Sequence, residues 1–157
     1  MTVTIETIEA AARRLQGVVI ETPLLINRYL NDKLNAKVFI KPECLQHIGA
    51  FKFRGAYNRL SQLSDEQRKL GCVAFSSGNH AQGIALAAKL LEMQATIVMP
   101  SDAPQLKLDG TECLGATVRQ YDRATESRED IAAQIAVHTG APLVPVSYTH
   151  LTLPTSD

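Results

Sequence analysis

Net charge is what this 157-residue chain conspicuously lacks: 16 basic side chains are matched by 16 acidic ones. Without a basic excess, nothing in it advertises nucleic acid or an anionic membrane as a partner. No apolar run approaches the ~18 residues that would span a bilayer. The N-terminus has no basic start leading into an apolar core, and Glu6 and Glu9 argue against a transit peptide. Cysteine is scarce too. Cys44, Cys72 and Cys113 are odd in number and lack metal-ligand spacing, so they are expected to be buried thiols in a reducing compartment, with no metal site. What remains is the profile of a cytoplasmic protein that handles small molecules. Its 45% hydrophobic and 5% aromatic content suits a compact α/β chain, long enough for one domain or for one and part of another.

Hydrophobic spacing organises the chain. Ile5, Ile8, Ala12 and Leu15 predict a helix that ends near Gly17, and Thr22-Pro23 forces an extended segment. Val38 to Ile40 reads as a short strand closed by Pro42, and a helix follows Lys52 with Phe53, Ala56, Tyr57, Leu60 and Leu63 on one face. Ser64 with Gln67 forms a capping box for a helix stopped by Gly71. Strands are then expected at 72–75, 96–99, 117–121 and from Leu143. Helices after His80, over 105–114 and over 127–138 alternate with them. Such alternation specifies βαβ units, hence an α/β fold: a three-layer open parallel sheet with helices on both faces.

Two stretches can carry chemistry. In Gly49-Ala-Phe-Lys-Phe-Arg-Gly-Ala56 a lysine stands between two aromatics at a helix start. If Phe51 and Phe53 strip it of solvent, Lys52 is a candidate for Schiff-base chemistry with an aldehyde; otherwise it is an ordinary solvated helix-start residue, with the aromatics in the core. The second is Ser76-Ser-Gly-Asn-His80, at the carboxyl end of a strand, where open parallel sheets bind ligands. It offers hydroxyls, a glycine that permits close approach, and helix-terminal amides suited to a carboxylate or phosphate. The plainer alternative is a strand-to-helix turn capped by Asn79. There is no Gly-x-Gly-x-x-Gly or Walker loop and no Gly-x-Ser-x-Gly elbow to make Ser77 and His80 a hydrolase pair. His47, His138 and His150 stand alone, and the mixed charges from Arg119 to Asp130 read as a solvated helix approach.

Together the motifs are more specific. Lys41-Pro-Glu-Cys-Leu-Gln-His-Ile-Gly-Ala-Phe-Lys-Phe-Arg-Gly-Ala56 followed by Ser76-Ser-Gly-Asn-His-Ala-Gln-Gly83 resembles the threonine/serine dehydratase and serine racemase family, fold-type II pyridoxal-phosphate enzymes. The resemblance runs from near the N-terminus to about Pro145. It implies pyridoxal 5'-phosphate as cofactor, held by Lys52 as an imine, with Phe51 against the pyridine ring and Asn79 on the phenolic oxygen. The amides of Ser76, Ser77, Gly78, Asn79 and His80 would receive the substrate carboxylate. Lys52 would then be the general base at Cα, and loss of the β-hydroxyl would give a keto acid and ammonia. Ser77, which would relay a proton on the opposite face, leans toward the serine racemase and hydroxyaspartate dehydratase branch rather than the many threonine dehydratases with alanine there. His80-Ala81 separates the chain from cysteine-synthase-like relatives, although a β-replacement enzyme of that kind and a non-catalytic α/β binding module remain alternatives. Ala50 stands where a serine is common, and His47 where racemases often carry a lysine near a nucleotide effector site.

The family's glycine-rich phosphate loop, and the serine or threonine that meets its pyridine nitrogen, would follow Pro145. Instead, Val146 to Thr155 resembles the translation of a sequencing-library transposon adaptor. The expected organisation is therefore an incomplete large-domain segment over 1–52, a small α/β domain over 53–145, and an artefactual tail over 146–157. On this reading the parent is a homo-oligomer, dimer or tetramer, that acts on small amino acids; the fragment itself is inactive. Residues before Lys52 are expected to leave apolar faces partly exposed.

Overall fold

The computed structural model describes residues 3–145; the tail assigned to 146–157 lies outside the described residues. The sequence from Ser64 onward folds as its spacing requires. Helix α4 (Asp65–Leu70) opens with the Ser64–Gln67 capping box. It hands over to strand β3 (Cys72–Phe75), helix α5 (Asn79–Leu90), strand β4 (Ala95–Pro100), helix α6 (Gln105–Cys113), strand β5 (Thr117–Tyr121) and helix α7 (Arg128–Thr139). Ser127 caps α7 by accepting from the Asp130 amide, and Gly140, in the left-handed region at φ 72°, ends it.

The three strands are parallel in the order β3-β4-β5, with Cys72 opposite Ala95 and Thr96 opposite Thr117. Leu143 adds a parallel bridge to Val73 on the other side of β3. The chain winds outward through β4 and β5 and then returns across β3, so the carboxyl end of β3 lies at the reversal of strand order, where ligands bind in such sheets. Alternation along the strands sorts the two faces. Cys72, Ala74, Ile97 and Met99 join α5 and α6 in one core, while Val73 and Val98 meet α7 through Ala132 in the other. The three-layer α/β architecture is as expected.

Helix α5 is apolar nearly all round, because it is sandwiched between the sheet and helix α3 (Lys52–Leu60). Its small residues, Ala81, Gly83, Ala85, Ala87 and Ala88, let both neighbours approach.

Ahead of α3 the chain is looser. Helix α1 (Ile5–Leu15), opened by a Thr4–Thr7 capping box, buries Ala11 and Leu15 and packs on α3. Strands β1 (Leu25–Ile26) and β2 (Phe39–Ile40) form an antiparallel pair around helix α2 (Arg28–Leu34), which buries none of its residues. The expected strand over 38–40 is thus one residue shorter. Helix α2 departs from the extended segment expected there: with no fully buried residue it has no hydrophobic period, and its signals are the Asn27 cap and Asn35 at φ 47°. A second correction concerns the thiols. Only Cys72 is buried, and burial pushes its thiol up to about 12; Cys44 and Cys113 are exposed. Among the described residues no helix is long and apolar enough to cross a membrane.

Candidate active site

Lys52 opens α3, preceded by two short 3-10 turns over Glu43–Leu45 and His47–Gly49. The second turn holds Ile48 at φ 59° and Gly49 at φ 66°. A β-branched residue in the left-handed region is strained by about 1–3 kcal/mol, so its surroundings must enforce it. They do so through side chains. His47 brings its Nε2 to 3.1 Å from the Val18 carbonyl oxygen and sets its ring edge-on to Phe53. Gln46 grips Ile20 twice, accepting from its amide at 3.0 Å and donating to its carbonyl at 2.8 Å.

Two residues beyond Lys52, Arg54 is 3% exposed and forks onto Glu43, donating to both carboxylate oxygens at 2.7 and 2.8 Å. Thr22 donates to the same carboxylate at 2.7 Å. Burial by itself pushes the Glu43 carboxyl up. Hydrogen bonds from Arg54 and Thr22, with the charges of Arg54 and Lys41, outweigh burial and hold the carboxyl below the usual carboxylate range. This clasp ties the segment around Thr22 to the start of α3. Nothing in the spacing of Glu43 and Arg54, eleven residues apart without a shared helix, announces it.

The picture of a lysine flanked by two rings is half right. Phe53 points inward, fully buried between His47 and Tyr57. Only Phe51 accompanies Lys52, whose Nζ lies 4.9 Å from the ring centroid, and Phe51 is 42% exposed. Lys52 itself is half-buried at the start of the helix.

The Ser76–His80 loop joins β3 to α5. Gly78, not Asn79, is the N-cap of α5, and it supplies no side chain to the helix amides. The simple capped turn is therefore not what forms. Among the described residues, the Ser76 amide donates to the Val98 carbonyl in the sheet and the Gly78 amide to Ser76 Oγ, so both are engaged within the protein. The amides of Ser77 and Asn79 stand at the helix end, where the first turn supplies no intrahelical acceptor. The His80 ring turns away into the fold: it is 3% exposed, with Nε2 3.4 Å from the Val144 carbonyl oxygen. Asn79 instead meets α6, accepting at Oδ1 from Lys107 Nζ at 2.9 Å.

Gly83 brings the two stretches together. A Cβ there would stand 3.2 Å from the Lys52 carbonyl oxygen and 3.4 Å from the Phe53 amide, so α3 crosses α5 against bare backbone. Asn79, four residues earlier, lies on the same face of α5, one turn nearer its start. The lysine and the loop thus share one end of the α3–α5 contact. Gly83 closed the quoted motif, but its packing role was not legible from the sequence.

The family model described as pyridoxal-phosphate dependent enzyme matches residues 15–153. The chain belongs to that family. It is 57% identical over 140 residues to an L-threo-3-hydroxyaspartate ammonia-lyase of Pseudomonas, covering 89% of this chain and 44% of the relative. A serine racemase of Schizosaccharomyces pombe is 45% identical over 147 residues, covering 94% of this chain and 45% of the relative. The solved structure of maize serine racemase superposes with a TM-score of 0.85 at 40% identity, over 92% of this chain and 44% of the other. The chain spans less than half the length of these relatives.

The family cofactor, pyridoxal 5'-phosphate, is an aldehyde on a flat anionic ring, and the described residues fit it. Lys52 offers an amine on a half-buried side chain, and the exposed Phe51 offers an apolar flank beside it. Space is open above the loop, since a Cβ on Gly78 would meet nothing within 4 Å.

Proposed function

We propose that the parent of this chain is a pyridoxal-phosphate-dependent ammonia-lyase, racemase or both, acting on β-hydroxy amino acids such as hydroxyaspartate, serine or threonine. Residues 1–52 belong to its large domain and 53–145 form its small domain; it works in the cytoplasm as a homo-oligomer. The observation that carries the reading is the close crossing at Gly83, which sets Lys52 beside the start of α5. The relatives named above favour this substrate class, and Ser77 agrees with their branch.

The bound cofactor would supply the electron sink that makes the substrate Cα acidic. Lys52 would hold the cofactor through its aldehyde and would move the proton at the substrate Cα. Ser77 offers its hydroxyl as a proton carrier on the opposite face, which racemisation requires. Asn79 would donate to the cofactor's phenolic oxygen, and Phe51 would cover one side of its ring. The Ser76 to His80 loop would receive the substrate carboxylate, chiefly through the Ser77 and Asn79 amides because those of Ser76 and Gly78 are engaged within the protein, with the positive end of the helix behind them. Elimination removes the Cα proton and the β-hydroxyl as water; hydrolysis then gives a keto acid and ammonia.

The test uses the parent enzyme. Keto acid should form from hydroxyaspartate, serine or threonine and vanish in Lys52→Ala. Ser77→Ala should lose racemisation more than elimination. Cysteine formation from an activated serine and sulfide, without keto acid, would favour the β-replacement alternative. Ligand binding and function that survive Lys52→Ala would leave a binding module. The 157-residue chain itself should release no keto acid.

A further inference from the structure

Helix α6 takes no part in the chemistry proposed above, yet one of its side chains reaches into the first turn of α5. The ammonium of Lys107 lies 2.9 Å from Asn79 Oδ1 and 3.4 Å from Gln82 Oε1. Asn79 and Gln82 are three residues apart, hence neighbours on one face of the helix, and their two amide oxygens converge on a single cation. Room for this is built into α6 one turn further on. A Cβ on Gly110 would stand 2.4 Å from Gln82 Nε2, so any larger residue would push the Gln82 amide from the place where its oxygen faces Lys107.

A side-chain amide carries an acceptor at one end and two donors at the other, and nothing intrinsic decides which way it turns. An ammonium has three donors and no acceptor, so it decides the question: the oxygen must face Lys107. We propose that Lys107 is a positioning residue that fixes the orientation of the Asn79 amide. With the oxygen committed to α6, the amide presents its NH2 group as a donor, the polarity that an anionic oxygen needs. Were the amide turned over, its carbonyl would face that oxygen and repel it. Lys107 also adds a positive charge at the uncapped start of α5, reinforcing the attraction of the helix end for anions. The purpose assigned to Lys107 rests on the role proposed for Asn79; the hydrogen bond itself does not.

The experiment is side-chain amide NMR on the 157-residue chain, with Lys107→Met and Lys107→Arg variants and pyridoxal 5'-phosphate as the probe. Without the probe, Lys107→Met should move the Asn79 and Gln82 side-chain amide resonances toward those of exposed amides. Lys107→Arg, which keeps charged donors at the same reach, should restore much of the wild-type position, and melting midpoints should stay close in all three. Asn79 and Gln82 resonances unmoved by Lys107→Met would overturn the proposal. On adding the probe, the Asn79 NH2 signals should shift in the wild type and in Lys107→Arg and shift less in Lys107→Met. A wild-type chain whose Lys52 region responds to the probe while Asn79 does not would overturn the role of Asn79, and with it the purpose of Lys107. Equal Asn79 shifts in wild type and Lys107→Met would overturn the positioning role alone and leave the cofactor reading standing.

Discussion

The two ends of Lys52 are built differently. After it, β4 buries every residue except the half-buried Thr96, and α5 is buried on nearly every side. Before it, all four residues of β1 and β2 are exposed, although they are Leu25, Ile26, Phe39 and Ile40, and Tyr29 on α2 is 74% exposed. The later region makes its own core between two helix layers. The earlier one is held by a few specific ties: α1 on α3, the Gln46 grip on Ile20 and the Arg54–Glu43–Thr22 clasp. Area sustains the first and polar geometry the second, so the two should respond to different perturbations.

The largest effect should come from the core of the later region. Phe53 is fully buried where α3 meets α5, and Phe53→Ala should cost about 3–5 kcal/mol through lost transfer energy and the cavity left behind. A urea midpoint lowered by much less would mean that this core is not shared between the helices.

Glu43→Gln comes next and acts on the earlier region. It keeps the shape of the side chain but leaves the buried Arg54 without its anion, for an expected cost of about 1–3 kcal/mol. The pH dependence has a definite sign. Glu43 has a depressed folded value, so its contribution is present above the unfolded value of about 4.3 and is lost as pH falls through the lower folded value. Melting midpoints of wild type and Glu43→Gln should therefore converge below about pH 4. Parallel curves across that range would show that the clasp does not depend on the carboxylate charge.

Gly83→Ala tests the seam between the regions. Alanine favours a helix over glycine by about 1 kcal/mol, which alone would stabilise α5. Against this, the new methyl presses on the Lys52 carbonyl, part of a backbone anchored by Phe53 beneath and Arg54 beside it, and overpacking costs about 1–3 kcal/mol. Because backbone pinned on both sides cannot give easily, the steric cost should win, leaving a net loss of about 1 kcal/mol. Amide shifts in a heteronuclear spectrum should centre on Lys52 and Phe53. A stabilised variant without such shifts would mean that α3 simply moves aside.

How much of this was legible in the sequence follows the same division. Where burial is regular, apolar periodicity reads out directly: Cys72 to Phe75 is a strand at the bounds its pattern predicts, and Thr117 to Tyr121 also keeps its predicted bounds although only Tyr121 is buried. The Ser64–Gln67 box and the Ser127 cap were readable because capping is local. Helix α2 carries no periodic signal in the sequence, because none of its residues is fully buried. Asn79 reads as a cap residue in the sequence, but its partner is Lys107, 28 positions away, and a single lysine on a helix gives no sign of where it reaches. Lys52 and the Ser76–His80 loop were found by their motifs, whereas Gly83, Arg54 and Glu43 act through long-range packing and ion pairing.

The smallest effect on stability should come from the exposed apolar ribbon of β1 and β2. Ile26 and Phe39 face each other across β1 and β2, and both are more than half exposed. A cross-strand pair of this kind contributes about 0.2–1 kcal/mol, so Ile26→Ser with Phe39→Ser should barely move the melting midpoint. Its effect on association should be much larger. An exposed two-stranded ribbon with apolar side chains can pair with another copy along its edge, and serine removes the apolar surface that drives such pairing while leaving the backbone able to form it. Sedimentation velocity at rising concentration should show less self-association in the double variant than in the wild type. If both associate equally, another surface holds the copies together; if the variant loses several kcal/mol of stability, the ribbon supports a core of its own and the contrast between the regions is smaller than their exposure implies.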